Sequence, residues 1–306
     1  MTHHVVYCFD KNYEAHFGAS VMSLILNYQG AGENLHIHLI TEHNTPEFLE
    51  KVSRLRSIFR CAIEIIHPSS QQKALLTDLT LDSKAQNYLS AATWLRLLIP
   101  VALNDSIDRV LYLDADTIVQ ESVCKLLDSS TGQSPLCAVS DFSENNLKRH
   151  HNIDRYFNTG VMLLELKQWR EKNHLAGCLN VAKNHADKLL FADQCTLNLY
   201  FSDSAQAMDP RWNQFIQSGQ SHKTLPGGIL HFLSRTKPWQ QWFDHPLGEV
   251  YWHYRRISPW AQGKPQEARL LREFTQLARK LTKDGKPVQA QEAYEKIISA
   301  LKKNLQ

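Results

Sequence analysis

The sequence lacks the cysteine pattern of a disulfide-bonded or zinc-binding protein. Its six cysteines stand singly at positions 8, 61, 124, 137, 178 and 195, and no two of them form a C-x-x-C pair. Single cysteines inside apolar segments are typical of reduced core residues. The pattern therefore predicts a protein of a reducing compartment, which we expect to be the cytoplasm.

Long apolar segments are also missing. The N-terminus reads Met-Thr-His-His and then enters an apolar strand, without the basic region and apolar stretch of a secretory signal. The longest apolar stretches, 94–103 and 161–166, are too short or too interrupted to span a bilayer. Hydrophobic residues make up 43% and charged residues 21%, as in an ordinary globular protein and unlike a disordered one.

A strong excess of charge of one sign is also missing over most of the chain. The formal net charge is +3 over 306 residues, which does not indicate a nucleic-acid partner. The excess lies in the tail, where residues 265–306 carry nine Lys and Arg against five Asp and Glu. Such a basic segment favours peripheral contact with the anionic inner face of the cytoplasmic membrane as one role for the tail.

The first third of the chain alternates strand and helix patterns. Apolar runs at 5–9, 35–40 and 62–66 are separated by helical spacing over 15–28 and by a helix starting at Pro46. This order predicts a mostly parallel sheet covered by helices. The polar stretch that follows, residues 68–86, predicts a long loop.

The remaining two thirds predict further elements of both kinds. A helix over 91–98 is expected to stop at Pro100, because proline interrupts helices. Four apolar runs predict buried strands, at 109–113, 136–141, 160–166 and 228–232. After Pro246 the pattern becomes helical, and from Gln266 onward it is helical throughout.

The strand at 109–113 ends in the pattern Asp114-Ala115-Asp116. Ligands of open α/β sheets bind outside the carboxyl ends of the strands. Two carboxylates spaced i and i+2 there can reach one divalent cation, and such a cation absorbs the charge that develops on a diphosphate leaving group. The alternative is an acidic turn without a metal, which is the commoner case for an isolated D-x-D pattern, but the apolar run before it and its position at a strand end narrow the difference.

A second candidate segment lies far downstream, around His231 and Lys237. His231 ends an apolar run, and Lys237 follows six residues later before Pro-Trp. Manganese accepts imidazole more readily than magnesium does, and lysine binds phosphate as a point charge. Taken singly, His231 is also typical of a core histidine and Lys237 of a solvated surface charge.

With these segments together, the chain resembles glycosyltransferase family 8, which includes bacterial lipooligosaccharide and lipopolysaccharide hexosyltransferases and the glycogenins. The resemblance spans roughly residues 5 to 240 and consists of segments in family order: Phe9–Tyr13, Thr93–Arg96, Tyr112–Asp116, Phe157–Val161, Lys167–Arg170, Asp193–Gln194, Arg211–Asn213 and His231–Trp239. It implies a GT-A type nucleotide-sugar fold, a Rossmann-like mixed α/β sheet, over residues 1–250, followed by a helical C-terminal segment over 251–306.

The resemblance also implies roles for individual residues. Mn²⁺, with Mg²⁺ as the alternative, would be held by Asp114, Asp116 and His231. The positions implied to contact the UDP-sugar are Cys8, Asp10, Asn12, Tyr13, Arg96, Asp114, Ala115, Asn158, Ser234 and Lys237. Among these, Asp10 and Asn12 would hold uracil and ribose, and Lys237 the diphosphate. Catalytic positions near the transferred sugar would be Asp141, Asp193 and Gln194, with Gln194 beside the anomeric carbon.

The implied activity is retaining transfer of galactose or glucose from a UDP-sugar to a glycan acceptor. That acceptor would be a glycan or lipid-linked glycan, such as a precursor of lipopolysaccharide or another surface polysaccharide. Ser234 departs from the family pattern, which usually has glycine at this position, so a Cβ there would crowd the phosphate or require a different turn.

Several alternatives remain open at the level of sequence. Residues 157–160 are alternatively a turn into the next strand, and Asp193 is alternatively the cap of a helix over 194–200. An alternative function is a non-catalytic interaction protein that uses its C-terminal helices, although intact metal and phosphate residues disfavour it. A nucleotidyltransferase would have a Gly-rich basic loop after the first strand, which Phe9–Tyr13 does not provide.

The tail predicts a helical hairpin near residues 266–306 that resembles one tetratricopeptide repeat. Gly285 stands at the turn, and Ala290 and Tyr294 stand at packing positions. One repeat cannot bury its own apolar face. We expect it to dock on the catalytic domain of the same chain, with a partner or a membrane surface as the alternative. We expect the aromatic residues of 239–260 to pack the domain onto its C-terminal helices.

Overall fold

A computed structural model describes residues 2–82, 91–220 and 224–304 of the chain. The strands are β1 His3–Cys8, β2 Leu35–Ile40, β3 Ala62–Ile66, β4 Arg109–Leu113, β5 Thr117–Val119, β6 Leu136–Ser140, β7 Phe157–Glu165, β8 Gln206–Ala207, β9 Gln214–Ile216 and β10 Ile229–Phe232. The α-helices are α1 Glu14–Asn27, α2 Pro46–Phe59, α3 Ser70–Asp82, α4 Ile99–Ala102, α5 Cys124–Leu127, α6 Glu144–His151, α7 Leu166–Glu171, α8 His174–Asn184, α9 Ala192–Phe201, α10 Gly248–Ile257, α11 Leu271–Lys283 and α12 Pro287–Asn304. Short 3₁₀-helices include Lys11–Tyr13, Ala91–Leu98 and Pro210–Asn213.

The central sheet has seven strands in the order β3-β2-β1-β4-β7-β6-β8. The β1–β2, β2–β3, β1–β4 and β6–β8 pairs are parallel, whereas β7 runs antiparallel to β4 and β6. Strands covered on both faces are mostly apolar and buried along nearly their whole length, and β1, β4 and β7 are buried in this way. The predicted α/β fold with a mostly parallel sheet is confirmed.

Hydrophobic layers cover both faces of this sheet. On one face, buried side chains of α3, α8 and α9 pack against β1, β4 and β7. On the other face, α1 and α2 contribute Phe17 and Phe48, and Trp260 lies edge-on to Phe17 with a centroid distance of 5.6 Å. The helix α2 begins as predicted, with the Thr45 hydroxyl accepting from Phe48 N and Pro46 in the first turn.

A small second sheet, in the order β5-β10-β9, lies at the carboxyl end of β4. His231 of β10 is the register partner of Thr117 of β5 in an antiparallel pair. The sheet therefore brings a residue from the last third of the chain next to the turn that follows β4.

An irregularity between β6 and β7 shapes the same region. Ala138 pairs with Met162, but the next residue of β6, Val139, pairs with Asn158. Residues 159–161 are therefore unopposed on the β6 side, and such a bulge bends and twists its strand. The alternative interpretation of residues 157–160 as a turn is wrong, because β7 begins at Phe157 and includes them.

Two expectations about the segment before β4 are also wrong. Most of the predicted loop 68–86 is helix α3, and residues 83–86 lie outside the described residues. Ser69 and Gln72 cap this helix reciprocally, each side chain accepting from the other's backbone N–H, and Leu76 and Leu79 are buried beneath it. Pro100 does not end the helical segment either, since it lies in the first turn of α4, where proline is tolerated.

The tail forms the predicted hairpin of α11 and α12, with Gly285 in its turn at φ +69°. Residues 266–270 are not helical, and Gln266 instead bridges Gln240. The hairpin buries Ala278 and Ala290 but leaves Tyr294 42% and Leu301 46% exposed. This exposure contradicts the expectation that the hairpin buries its apolar face on the catalytic domain.

The aromatic residues of 239–260 pack the domain onto the C-terminal helix α10, as expected. Phe243 and Tyr251 surround Phe232 of β10, and α10 packs along α1. The ring of Trp260 lies so close to Gly18 of α1 that a Cβ there would be 2.6 Å from it. The division of the chain at residue 250 stays a prediction. Across the described residues, the structure contains no helix with the length and apolarity of a membrane span.

Candidate active site

Asp114, Asp116 and His231 form a compact cluster at the carboxyl end of β4. The Nε2 atom of His231 lies 3.3 Å from Asp116 Oδ1 and 3.7 Å from Asp114 Oδ2. One ligand atom from each residue lies within 4.8 Å of the others. The D-x-D pattern and the distant histidine, suspected separately from the sequence, are thus brought together.

The chemistry of this cluster fits a divalent metal ion. The Nδ1 atom of His231 lies 2.9 Å from Asn213 Oδ1, an acceptor that holds the ring proton on Nδ1 and directs the Nε2 lone pair at the carboxylates. A Cβ at Gly160 would collide with the His231 ring and lie 2.9 Å from Asp114 Oδ2, so only glycine leaves room for this arrangement. Two carboxylates and one neutral imidazole form a mixed oxygen and nitrogen donor set that suits manganese.

Lys237 adds positive charge beside the cluster. Its Nζ lies 2.7 Å from Asp116 Oδ2 and donates to the carbonyl oxygen of Phe232 at 2.6 Å. Burial alone would raise the pKa of Asp116, but the Lys237 ammonium and His231 outweigh burial and hold that pKa below its ordinary value. Asp116 is therefore ionised, as a metal ligand must be.

Arg96 connects the cluster to the start of α9. Its guanidinium lies 3.1 Å from Asp114 Oδ1 and 2.8 Å from Asp193 Oδ2, and donates to the carbonyl oxygen of Thr159 at 2.8 Å. The Tyr112 ring packs against the guanidinium with its hydroxyl donating to Asp114. Arg96 is therefore held on four sides, which fixes Asp114 relative to Asp193.

Asp193 is buried in the first turn of α9 and does not cap a helix, so that alternative interpretation is wrong. Its carboxylate lies 2.8 Å from Arg96 Nε, and the residue at the N-cap position of α9 is Phe191, which offers no side-chain cap. Burial raises the pKa of Asp193 to about 7, against the opposing effect of Arg96. The charge on Asp193 consequently depends on Arg96.

Asp141, Asn158 and Gln194 form a hydrogen-bonded group beside Thr159. Asp141 Oδ2 accepts from Asn158 Nδ2 at 3.2 Å and from Gln194 Nε2 at 3.3 Å, while Asp141 Oδ1 accepts from Ser143 N at 2.8 Å. Gln194 Oε1 accepts from Thr159 N at 3.2 Å. The structure thus brings together residues that the sequence associated with the transferred sugar.

The residues expected around the nucleotide lie at the ends of β1 and β4. Asp10 Oδ1 accepts from Asn12 N at 2.9 Å and shapes the short helix Lys11–Tyr13, whose Asn12 side chain is exposed. The Tyr13 ring lies edge-on to Trp239 with a centroid distance of 5.8 Å. This turn leaves the Asn12 side chain accessible to a ligand.

Three smaller residues complete the predicted set. Cys8 is buried at the end of β1, and burial raises the pKa of its thiol, so it is an unreactive wall residue. Ala115 is buried between the two carboxylates. Ser234 is exposed and has φ +74°, a left-handed conformation that glycine adopts without strain. The backbone therefore takes a glycine-like shape although the residue is serine.

The sequence did not identify several residues that hold the site together. Thr159, Gly160 and Asn213 contact predicted site residues, but no role was expected for any of them. Gly160 and Asn213 stand inside family-like segments, so the resemblance could have pointed to these two positions. Their contacts could not be predicted in this way, because they depend on the bulge in β7 and on the β9–β10 pairing.

Comparison with known proteins shows the family to which this sequence is similar. The sequence model of the family described as Glycosyl transferase family 8 matches residues 4–243. The chain is 27% identical to General stress protein A of Bacillus subtilis over 277 residues, which are 84% of this chain and 94% of that protein. It is 24% identical to the lipopolysaccharide 1,2-glucosyltransferase of Escherichia coli K12 over 287 residues, 88% of this chain and 82% of the relative.

Solved structures show the same architecture. The galactosyltransferase LgtC, in complex with donor and acceptor sugar analogs, superposes with a TM-score of 0.72 at 20% identity, covering 83% of this chain and 96% of LgtC. The glycosyltransferase GlyE of Streptococcus pneumoniae superposes with a TM-score of 0.63 at 23% identity, covering 85% of this chain and 61% of GlyE. At these identities the likeness concerns the fold, and it confirms the predicted GT-A type architecture.

Proposed function

Since the chain belongs to glycosyl transferase family 8 and is a glycosyltransferase, we propose that it transfers galactose or glucose from a UDP-sugar to a glycan acceptor. The observation that carries this proposal is the cluster of Asp114, Asp116 and His231 with Lys237 beside it, at the carboxyl end of the central sheet. Carboxylates, an imidazole and an ammonium in one place suit a metal ion and a diphosphate.

We assign the diphosphate side of the donor to the metal cluster and Lys237. Mn²⁺, held by Asp114, Asp116 and His231, would neutralise the charge that the leaving UDP acquires. Lys237, whose ammonium already points at this cluster, binds the diphosphate as a second positive charge. Arg96 orients Asp114 through an ion pair with its Oδ1 atom.

We assign the nucleoside to the turn after β1. Asp10 and Asn12 are to hold ribose and uracil, with Tyr13 and Cys8 as neighbouring walls. What supports this is the turn geometry, in which one Asp10 oxygen shapes the backbone while the Asn12 amide is exposed.

We propose retention of anomeric configuration without a covalent intermediate. Both carboxylates near Gln194 are engaged, because Asp193 pairs with Arg96 and Asp141 accepts hydrogen bonds on both oxygens. Neither is free to attack an anomeric carbon, and the neutral Gln194 amide is a poor nucleophile. Gln194, oriented by Asp141 and Thr159, therefore serves to position the sugar while the acceptor hydroxyl attacks from the face that UDP leaves.

For the acceptor we propose a glycan or lipid-linked glycan of a lipopolysaccharide or other surface polysaccharide. Relatives named as lipopolysaccharide 1,2-glucosyltransferase and 1,3-galactosyltransferase support this class. We place the reaction in the cytoplasm, with the basic residues of 265–306 supporting a peripheral contact with the inner membrane.

A donor screen tests the proposal. The purified chain is incubated with UDP-glucose, UDP-galactose and non-uridine sugar nucleotides in the presence of Mn²⁺, and release of the nucleotide is measured with and without an oligosaccharide acceptor. We expect UDP release from a UDP-hexose only, and its loss in Asp114→Asn but not in Asp105→Asn, where the carboxylate is exposed. Equal release from all sugar nucleotides, or none from any, would contradict the proposal, and an inverted product anomer by NMR would contradict retention.

A further inference from the structure

We propose that Asn213 is a positioning residue that sets the tautomer of His231 and ties it to the sugar-binding side of the site through Asn158. The inference rests on the proposed metal site. Asn213 is 1% exposed and ends the short helix Pro210–Asn213, directly before β9. It uses both ends of its amide, accepting from His231 Nδ1 at 2.9 Å and donating to Asn158 Oδ1 at 2.9 Å.

A fixed backbone donor determines the direction of this hydrogen-bond chain. Gly160 N–H donates to Asn158 Oδ1 at 3.0 Å, so this atom must be the amide oxygen of Asn158. The other end of that amide, Nδ2, accordingly faces the acceptor Asp141 Oδ2. Because a backbone N–H cannot reverse its role, the orientation of Asn158 is settled.

The orientation of Asn158 then fixes Asn213 and His231. An oxygen at Asn158 Oδ1 requires a donor from Asn213, which places Asn213 Nδ2 there and Asn213 Oδ1 against His231 Nδ1. His231 must therefore carry its proton on Nδ1. Its Nε2 lone pair faces Asp116 and Asp114, as a metal ligand requires.

The backbone around Asn213 is held firmly enough to maintain this arrangement. Asp209 caps the short helix by accepting from Arg211 N at 2.9 Å, and the neighbouring Trp212 is buried. The next residue, Gln214, pairs with Leu230, one position before His231. Asn213 therefore stands directly before a strand that pairs with the strand of His231, and the register of this pair fixes their separation.

Two isosteric substitutions separate the two contacts of Asn213. Asn213→Asp keeps an acceptor for His231 Nδ1 but loses the donor to Asn158, whereas Asn213→Leu loses both. We measure Mn²⁺ binding to the purified full-length chain by the EPR signal of free Mn²⁺, and transfer by UDP release. Loss of a partner that orients a metal-binding histidine typically weakens metal binding about 10–100-fold.

We expect Asn213→Leu to bind Mn²⁺ about 10–100-fold more weakly than the wild type. We expect Asn213→Asp to bind Mn²⁺ within about threefold of the wild type but to lose about tenfold or more in kcat, because Asn158 loses its donor. Asn27→Asp is the matched control, since Asn27 is a half-buried amide that bonds Val119 and Tyr254 away from the cluster. It should change thermal stability and leave Mn²⁺ affinity unchanged.

The outcomes distinguish this inference from the proposed function. A wild-type chain without measurable Mn²⁺ binding overturns the metal site and the inference together. Mn²⁺ binding by the wild type and equally by folded Asn213→Leu overturns the inference alone. If Asn213→Leu does not fold, Asn213→Asp decides. Weak Mn²⁺ binding in that variant, or an unchanged kcat, overturns the inference that the His231 contact supports metal binding and the Asn158 contact supports turnover.

Discussion

Lys237 Nζ lies 2.7 Å from Asp116 Oδ2, on a carboxylate that also faces His231 Nε2 at 3.3 Å. The ammonium therefore contacts the same carboxylate as the proposed metal ion, through the other oxygen. A cation at the cluster is repelled by the ammonium and competes with it for Asp116, until a diphosphate offers Lys237 a different partner.

Removal of this charge should strengthen metal binding in the absence of nucleotide. We expect Lys237→Met to bind Mn²⁺ about tenfold more tightly than the wild type, a gain of about 1.4 kcal/mol, because Asp116 loses its competing partner. The same variant should bind UDP more weakly, because the diphosphate loses a point charge. EPR titration of free Mn²⁺, with and without UDP, measures both effects.

The matched control is Lys283→Met, which removes an exposed lysine of the tail that pairs with Asp244. It should change neither affinity. Weaker Mn²⁺ binding by nucleotide-free Lys237→Met would show that the lysine supports the metal site instead of competing for it.

The three residues of the proposed metal site differ in how far the sequence could predict them. Asp114 and Asp116 follow an apolar run, and strand ends in parallel sheets point to ligands, so their role could be inferred locally. His231 lies over a hundred residues downstream, and its place beside Thr117 is set by strand pairing that no local pattern encodes. The family-like segment around His231 was therefore needed to associate it with the cluster.

Other features depended on tertiary packing. Arg96 lies between Asp114 and Asp193 and donates to the carbonyl oxygen of Thr159, which belongs to the bulge in β7. The helix α3 was missed because its sequence is mostly polar, and neither the Ser69–Gln72 capping pattern nor the burial of Leu76 and Leu79 was recognised. The hairpin was correctly predicted as two helices, but exposure of Tyr294 depends on what covers it, which spacing within the helix does not encode.

Gln194 provides a test of how the bond is made. Its amide is held by Asp141 and Thr159, so it is positioned to contact the sugar but cannot readily form a covalent intermediate. We expect Gln194→Ala to lower kcat by tens- to thousandsfold, about 2–4 kcal/mol, without abolishing transfer. The affinity for UDP should be unchanged, because the proposed nucleotide contacts lie at Asp10, Asn12 and Lys237.

Exposed Gln291 in α12 offers a control, and Gln291→Ala should keep full activity. Intact mass spectrometry with a slow fluorinated donor checks for a covalent sugar. A stable adduct on Asp193 or Gln194 would establish double displacement and defeat the proposed front-face attack.

Ser234 predicts a stabilising substitution close to the site. Its φ of +74° is unfavourable for any residue with a Cβ, and glycine adopts it freely. We expect Ser234→Gly to raise the free energy of unfolding by about 0.5–1 kcal/mol, since relief of strain exceeds the greater freedom of glycine in the unfolded chain. Urea denaturation measures the difference.

Ser234→Ala is the matched control, because alanine keeps the Cβ and gains nothing from the backbone. The prediction fails if both variants shift the urea midpoint equally, since the side chain and not φ would then be responsible.

A group of histidines on β1 and β2 predicts how stability depends on pH. His4 Nδ1 lies 3.0 Å from His38 Nε2, and His38 Nδ1 lies 3.0 Å from Glu64 Oε2, with His36 edge-on to His4. Burial, reinforced by the neighbouring histidines, lowers the pKa of His4 from 6.5 to about 4. Between pH 6.5 and about pH 4, His4 is therefore mostly neutral in the folded chain and mostly protonated in the unfolded chain.

The sign of the effect follows from this difference. Stability should be unaffected by His4 above about pH 7 and should fall as the pH drops from 6.5 towards 4, where the unfolded state binds more protons. His4→Gln keeps a polar group but cannot be protonated, so it should lose less stability between pH 7.5 and pH 5 than the wild type. Urea denaturation at both pH values measures this, and exposed His253→Gln is the control, with the wild-type loss expected. An equal loss in His4→Gln and the wild type would mean that His4 does not contribute to the acid sensitivity of the fold.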